Sequence, residues 1–298
     1  KPDRRQRQMC IRDRVTGASR GAGKGIALGL AEKGMTVYVT GRSTEVGSAK
    51  GWDGTTLPGT VLGPAEEITK AGGNGIAVVC DHADDAQVAA LFEQIKEEQG
   101  RLDILVNNAA YIHPQLIEPK PFYEKDLDAQ FILDVGLRSA YVASWHAAKI
   151  MAEQKSGLIV FTSSFGASCY MHGAAYGAQK AGLDKFAHDM AVDLEDVNVQ
   201  TLSIWMGPLV TERAIIAAEV HPEQYTEFMA TAETPEFIGR IIYAVANDDK
   251  ASEISGHTVI SAEIAKDRYN IPDREGKFPP SYREMLGSPN PPNPAKVY

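Results

Sequence analysis

Short apolar runs alternate with amphipathic segments along most of the chain. Continuous apolar runs predict buried strands, and apolar residues spaced three or four apart predict helices. The predicted strands are 35–40, 75–80, 102–107, 157–162, 199–205 and 257–260. The predicted helices are 25–33, 65–71, 84–100, 127–155, 176–194 and 235–246. This order predicts an α/β fold with a doubly wound parallel sheet.

The pattern predicts a single domain. We find no internal repeat and no linker that would divide two domains between 15 and 270. Residues 43–63 are rich in glycine and are predicted to form a loop, and Thr211 to Thr234 is predicted to be a mobile lid. The segment 271–298 contains seven prolines and is predicted to be an irregular tail.

The first fourteen residues differ from the rest of the chain. They carry six basic and two acidic side chains, a local charge of +4. One interpretation is a disordered basic tail, and a signal peptide is excluded because no apolar stretch follows the charges. We favour a third, a non-native leader over 1–14 translated from a sequencing adaptor. Arg12, Asp13 and Arg14 stand where a buried strand should precede Gly17, and burying three charges there is costly.

Composition narrows the class of protein. Hydrophobic residues make up 44% and charged residues 23%, as in a globular protein. The net charge of −9 disfavours non-specific nucleic-acid binding, and no apolar stretch approaches the roughly 18 residues of a membrane span. Cys10, Cys80 and Cys169 have neither CxxC nor metal-ligand spacing, so we expect no disulfide framework, no metal site and a cytoplasmic location.

A glycine-rich turn, TGASRGAG at 16–23, lies between a strand end and a helix start. Gly17 allows the tight turn, and Gly21 and Gly23 let the backbone approach a pyrophosphate at the helix N-terminus. A Walker A loop is excluded because Ala18 stands at its first glycine and Gly25 at its hydroxyl position.

Further motifs follow this turn in a fixed order: Cys80-Asp81, NNAA at 107–110, and YGAQK at 176–180. Together they resemble the short-chain dehydrogenase/reductase family, over about 15–262. The blocks VGLR at 135–138 and SIW at 203–205 are most similar to its dehydrogenase/reductase family member 1 branch. The resemblance implies a Rossmann-type, three-layer αβα sandwich, a small carbonyl or alcohol substrate, and a homodimer or homotetramer.

Tyr176 and Lys180 are one helical turn apart, so both side chains share a helix face. A free tyrosine has a pKa of about 10. We expect Lys180 and the oxidised nicotinamide to lower it, so that Tyr176 exchanges a proton with the substrate oxygen. The resemblance implies a serine that holds this oxygen. Aligning the strand before the loop with the family's strand pattern selects Ser164 as this serine. Counting the family's usual loop length back from Tyr176 selects Ser163 instead. We favour Ser164.

The cofactor is predicted to be NADP(H). NAD-using relatives carry an acidic residue after the second strand, whereas this chain carries Arg42 and Ser43 there and Arg20 in the glycine turn. These three residues can contact a 2′-phosphate. The resemblance implies the following cofactor-binding residues: Gly17, Ser19, Arg20, Gly21, Ala22, Arg42, Ser43, Asp81, Asn108, Ala109, Tyr176, Lys180, Gly207 and Thr211.

The chain departs from the family pattern at Ala110, Gly136 and Met206. Gly136 stands where most relatives have an asparagine in a bent helix. We expect Gly136 to mark the same distortion and to leave space for a water, with Asp134 as a poor substitute for the asparagine. The departures also allow an alternative function, a catalytically weak NADP(H)-binding regulatory protein.

Histidines and loop aromatics give a weaker signal. The histidines show no metal spacing and are predicted to be structural: His113, His146, His172, His188 and His221. His113, Phe165, Tyr170 and Met171 fall in loops beside the expected nicotinamide site. They indicate an apolar or aromatic carbonyl substrate.

Overall fold

Seven parallel strands form the central sheet. The computed structural model describes residues 12–50, 56–220 and 222–297. The sheet order is β5-β2-β1-β6-β7-β8-β9, and β3 and β4 form a separate antiparallel pair in the predicted loop. The strands are β1 Arg12–Val15, β2 Thr36–Gly41, β3 Ala49–Lys50, β4 Thr56–Leu57, β5 Asn74–Val79, β6 Ile104–Asn107, β7 Gly157–Ser163, β8 Val199–Trp205 and β9 Thr258–Ile260.

Helices cover both faces of this sheet. The main ones are α1 Gly21–Ala31, α2 Leu62–Lys70, α3 Asp85–Gln99, α4 Ser139–Gln154, α5 Ala174–Leu194, α6 Glu212–Val220, α7 Pro222–Thr231 and α8 Pro235–Ala246. Short turns add 3-10 segments at Phe122–Glu124, Leu127–Gln130, Phe165–Ala167, Glu195–Val197, Ala251–Ile254 and Arg274–Gly276. Single α-turns lie at Phe131–Leu133, Ser261–Ile264 and Arg283–Leu286, and π-helical turns at Asp134–Arg138 and Ala265–Tyr269.

Two hydrophobic cores lie on opposite sides of the sheet. On one side, Ile26 of α1 and Ile241 of α8 pack against sheet residues such as Val39. On the other, α3, α4 and α5 pack against residues such as Ile159. The predicted three-layer α/β architecture is therefore confirmed. Alternation of short buried strands with amphipathic helices produces it, because each helix covers one sheet face.

Strand β1 occupies the middle of the sheet although it is charged. Asp13 pairs in register with Val37 on one side and Ile104 on the other. Asp13 and Arg14 are fully buried, and among the described residues their carboxylate and guanidinium groups have no hydrogen-bond partner. The sheet thus extends into the last three residues of the predicted leader. Residues 1–11, including Cys10, lie outside the described residues, as does His221.

The sequence prediction differs from the structure in two places. The single helix expected over 127–155 is interrupted, because a π-helical turn at Asp134–Arg138 separates its first turns from α4. The segment predicted as a lid contains two helices, α6 and α7.

Within the described part of the chain, we find no helix that combines the length and the hydropathy needed to cross a membrane.

Candidate active site

The carboxyl ends of neighbouring strands bring the predicted motifs together. The chain leaves β1 toward β2 and leaves β6 toward β7, so the sheet order reverses between β1 and β6. In doubly wound sheets, ligands bind in the crevice at such a reversal. Gly17 follows β1, Asn108 follows β6, Ser164 follows β7 and Gly207 follows β8.

The glycine turn is locked to the loop after β6. The Thr16 hydroxyl oxygen accepts hydrogen bonds from the backbone N–H groups of Asn108 and Ala109, at 2.7 and 2.8 Å. Gly17 has φ +62°, and a Cβ at this position would lie 2.8 Å from the Ala109 Cα. Only glycine combines this backbone conformation with so close an approach. The structure therefore brings Gly17, Asn108 and Ala109 together, and their contact with a cofactor stays a prediction.

The N-terminus of α1 already holds an anionic oxygen. The Gly21 N–H donates to a carboxylate oxygen of Glu212 over 2.7 Å, and the Lys24 ammonium lies 3.9 Å from the same carboxylate. Helix N-termini favour negative charge because their backbone N–H groups point outward. The carboxylate is thus a stand-in for a phosphate oxygen, and the turn fits the pyrophosphate of a dinucleotide.

Three predicted side chains meet beside this turn. The Arg20 guanidinium donates to the Ser43 hydroxyl over 2.8 Å and to the carbonyl oxygens of Pro58 and Gly59, each over 3.0 Å. Burial lowers the pKa of Arg20; the charge of Glu212 opposes this shift, and the charge of Arg42 adds to it. The support from Pro58 and Gly59 was not predicted, because it joins segments about forty residues apart.

Arg42 and Asp81 lie together at the outer edge of this cluster. The Arg42 side chain is 64% exposed, and one of its guanidinium nitrogens lies 3.5 Å from the Asp81 carboxylate. Asp81 also accepts a hydrogen bond from the Ala83 N–H. Arg42 therefore has room to turn toward a ligand phosphate.

Ser164 and Tyr176 face each other across the loop after β7. Their hydroxyl oxygens are 3.0 Å apart, and the Ser164 oxygen also accepts from the Gly166 N–H. Ser163 is fully buried and donates to the Lys180 backbone carbonyl. Of the two candidate serines, Ser164 is therefore the one beside the Tyr176 hydroxyl, and Ser163 fixes β7 to α5.

Lys180 lies over the Tyr176 ring. Its ammonium is 5.3 Å from the ring centre and donates to the Thr162 carbonyl over 3.0 Å. Burial lowers the pKa of Lys180 to about 8. Burial also raises the pKa of Tyr176, although its hydrogen bond with Ser164 acts in the opposite direction. In the polypeptide without cofactor the pKa of Tyr176 is therefore raised, and its expected lowering by Lys180 together with the oxidised nicotinamide stays a prediction.

Gly136 lies in the π-helical turn Asp134–Arg138, so the helix distortion expected at this residue is present. The Ser139 N–H bonds to the Asp134 carbonyl, and the Ser139 hydroxyl donates to the Val135 carbonyl. The space expected to hold a water is occupied instead. A Cβ on Gly136 would lie 2.0 Å from the Gln179 side-chain nitrogen. No local pattern of residues predicts this contact between two helices.

Glu233 is a buried acid that sequence reasoning missed. Its carboxylate accepts from the Ser261 hydroxyl over 2.6 Å and from the Gly207 N–H over 3.2 Å. Burial raises the pKa of Glu233 to about 7. Glu233 therefore supports the loop after β8, where Gly207 and Thr211 were predicted to contact the cofactor. The Thr211 hydroxyl accepts from the Ala214 N–H at the start of α6.

The loop aromatics have separate environments. Phe165 is buried against the rings of Trp205 and Tyr282, whereas Tyr170 is 84% exposed. The His172 ring packs edge-on against Tyr176 with centres 5.0 Å apart. His113 is buried, with its Nε2 2.7 Å from Asp128. Of these side chains, His172 is the one whose ring contacts the Tyr176 ring among the described residues.

Comparison with known proteins adds an independent result. The profile of the short chain dehydrogenase family matches residues 14–219. The chain is 37% identical over 282 residues to human Dehydrogenase/reductase SDR family member 1, covering 91% of this chain and 84% of that protein. It is 30% identical over 247 residues to a 3-oxoacyl-[acyl-carrier-protein] reductase of Synechocystis sp., covering 82% and 92% respectively.

A solved structure has the same fold. A Sinorhizobium meliloti 1021 protein described as a short-chain alcohol dehydrogenase aligns with a TM-score of 0.67 and 28% identity. The alignment covers 84% of this chain and 94% of the other. The fold agreement thus extends over nearly all of the solved chain.

Proposed function

The chain belongs to the short-chain dehydrogenase/reductase family and is an oxidoreductase with a nicotinamide cofactor, and from this premise we propose that it interconverts a carbonyl and an alcohol with NADP(H). The observation that carries the proposal is the 3.0 Å distance between the hydroxyl oxygens of Ser164 and Tyr176, beneath the Lys180 ammonium. Two hydroxyl groups that converge in this way can hold one substrate oxygen.

Each residue of the proposed site has a distinct role. The nicotinamide supplies hydride to the carbonyl carbon when bound, or accepts it in the reverse direction. Tyr176 donates its proton to the carbonyl oxygen, and Ser164 donates a hydrogen bond to the same oxygen. Because an ordinary tyrosine phenol has a pKa of about 10, Tyr176 is protonated at neutral pH and serves as the acid for carbonyl reduction. The Lys180 charge stabilises the phenolate that results.

The preference for NADP(H) is supported by the cluster of Arg20, Arg42 and Ser43. Arg20 is held by three oxygen acceptors and Arg42 is largely exposed. Guanidinium groups form strong charge-assisted hydrogen bonds with phosphate. The predicted contacts of Ser19, Ala22, Asp81, Asn108 and Gly207 with the cofactor belong to the same proposal.

Two broader parts of the proposal concern assembly and location. Tyr141 and Trp145 on α4 are 51% and 50% exposed, which supports a homo-oligomer. Cys80 and Cys169 are free thiols, which supports a cytoplasmic location.

The test is NADPH oxidation across a panel of ketones, aldehydes and quinones. We expect turnover with apolar or aromatic members, and a loss of at least roughly a hundredfold in kcat for Tyr176→Phe, since general acid catalysis contributes 10²–10⁴-fold. Ser164→Ala should lower kcat more than Ser163→Ala. Tight NADPH binding without turnover in the wild type would favour the regulatory alternative.

A further inference from the structure

The π-helical turn and α5 interlock through two glycines. A Cβ on Gly136 would lie 2.0 Å from the Gln179 side-chain nitrogen. A Cβ on Gly182 would lie 2.7 and 2.9 Å from the two methyl carbons of Leu137. Each helix therefore inserts one side chain into a position that the other leaves open. Two reciprocal insertions restrict sliding and rotation of α5 against the turn more than a single contact would.

Gln179 fills its position by packing. Its side chain is only 2% exposed, and the hydrogen bonds of the described residues include none from its amide. Gly136 has no positive φ, so backbone conformation does not require glycine there. The steric presence of Gln179 is therefore what excludes a side chain at position 136.

The two insertions flank Lys180. Gln179 directly precedes it and Gly182 follows two residues later, while Tyr176 lies one turn earlier on α5. The Lys180 ammonium has a single hydrogen bond among the described residues, to the Thr162 carbonyl. The hydroxyl contact of Tyr176 with Ser164 likewise spans from α5 to the end of β7. The position of α5 therefore determines the distance from the Lys180 ammonium to the Thr162 carbonyl and the distance between the hydroxyl groups of Tyr176 and Ser164.

We propose that Gln179 and Leu137 are positioning residues, which hold Tyr176 and Lys180 in register with Ser164 through their insertion at Gly136 and Gly182. This inference rests on the proposed function. A misplacement of about 1 Å can cost a catalytic group a hundredfold in rate. Small errors in the seating of α5 should therefore reduce kcat while the cofactor-binding turn, on α1, remains intact.

The test is a double-mutant cycle at positions 136 and 179. Gly136→Ala places a methyl group against Gln179 and should lower kcat by roughly tenfold. Gln179→Ala leaves a void and should lower kcat by a few-fold. Because the alanine side chains relieve each other, the double variant should recover to within roughly threefold of wild type. Gln179→Met keeps the volume without the amide and should stay near wild type.

The readouts separate positioning from general stability. We would measure kcat, KM and the pH profile of kcat, together with the NADPH dissociation constant and the melting temperature. The single variants should shift the pH midpoint of kcat, with a much smaller effect on the NADPH dissociation constant than on kcat. Gly63→Ala in α2 is the matched control, because its Cβ would meet its nearest neighbour, Thr60, at 3.9 Å.

Several outcomes would overturn the proposal. Additive effects in the cycle would show that the contact between positions 136 and 179 does not position the catalytic residues. A fall in melting temperature with kcat and its pH profile unchanged would show that this contact only stabilises the fold. Loss of activity in Gln179→Met would assign the effect to the amide rather than to packing. A wild-type protein without turnover would contradict the proposed function itself, and this inference with it.

Discussion

Arg20 is the residue most firmly placed for phosphate recognition. Its guanidinium is held by Ser43 and by the carbonyls of Pro58 and Gly59. The Arg20 side chain is therefore already ordered, and phosphate binding costs little further side-chain entropy. We predict that NADPH binds more tightly than NADH, and that Arg20→Ala weakens NADPH binding by roughly ten- to hundredfold. Fluorescence titration with both cofactors measures this directly.

The control for this prediction is Arg283→Ala. Arg283 pairs with Glu263 in the C-terminal segment and takes no part in the cluster around Arg20. Its dissociation constants should match those of the wild type. Equal affinities of the wild type for NADPH and NADH would refute the assignment of Arg20 and Arg42 to a 2′-phosphate.

Glu212 competes for the anion position at the start of α1. Its carboxylate accepts from the Gly21 N–H, where the turn would receive a phosphate oxygen. We predict that Glu212→Gln tightens NADPH binding by roughly two- to fivefold, since charge at a helix terminus contributes about 0.3–1 kcal/mol. Isothermal titration calorimetry tests this. Weaker binding would mean that Glu212 supports the cofactor instead.

At the scale of elements, Glu233 links the loop after β8 to the turn after β9. The pKa of Glu233 is raised to about 7 from an ordinary value of 4.5, so folding favours the protonated carboxyl. Its stabilising contribution is therefore present below pH 4.5 and lost as the pH rises to 7.

The neutral variant Glu233→Gln isolates this effect. The unfolding free energy of the wild type, relative to Glu233→Gln, should fall by on the order of 3 kcal/mol between pH 4.5 and 7. Urea unfolding at several pH values gives the difference. Parallel pH profiles for the two proteins would show that Glu233 titrates normally.

Strand β1 makes an unfavourable contribution to the stability of the fold. Burial raises the pKa of Asp13 and lowers that of Arg14 to about 10, and neither group has a hydrogen-bond partner in the part of the chain that the structure describes. The Arg14 guanidinium lies 4.2 Å from the centre of the Phe92 ring. We predict that Asp13→Val with Arg14→Leu raises the melting temperature by at least about 5 °C, because unpaired buried charges cost several kcal/mol.

The matched control is Arg12→Val in the same strand. Arg12 is only partly buried and donates to the Gln99 carbonyl, so its replacement should raise the melting temperature less. Calorimetry of the three proteins measures the difference. An unchanged melting temperature in the double variant would remove the structural support for a non-native β1.

The limits of sequence prediction follow from these elements. Regular alternation of apolar and amphipathic segments was enough to predict the doubly wound parallel sheet. Gly136 predicted a local distortion, but the π-helical turn that interrupts the helix there was not predicted, because one hydrophobic pattern runs through it into α4. Glu233 and Gln179 act through contacts with residues distant in sequence, and such contacts leave no local periodic signal.

At the scale of the whole molecule, the C-terminal segment fastens the helices over the cleft. Arg274 donates to the backbone carbonyls of Met229 and Ala232 at the end of α7. Asp273 accepts from the backbone and hydroxyl of Thr234, which begins α8. The predicted irregular tail is thus joined to the predicted lid, and α6 at the other end of the lid contacts the glycine turn through Glu212.

Hydride transfer under the control of Tyr176 is the central claim. The most direct measurement uses NADPH deuterated at the transferable position of nicotinamide C4, with a ketone that the substrate panel identifies. The account predicts one deuterium at the carbinol carbon of the product with wild-type protein, and almost none with Tyr176→Phe at an unchanged NADPH dissociation constant. NADPH consumption without deuterium in the product, or full transfer by Tyr176→Phe, would contradict it.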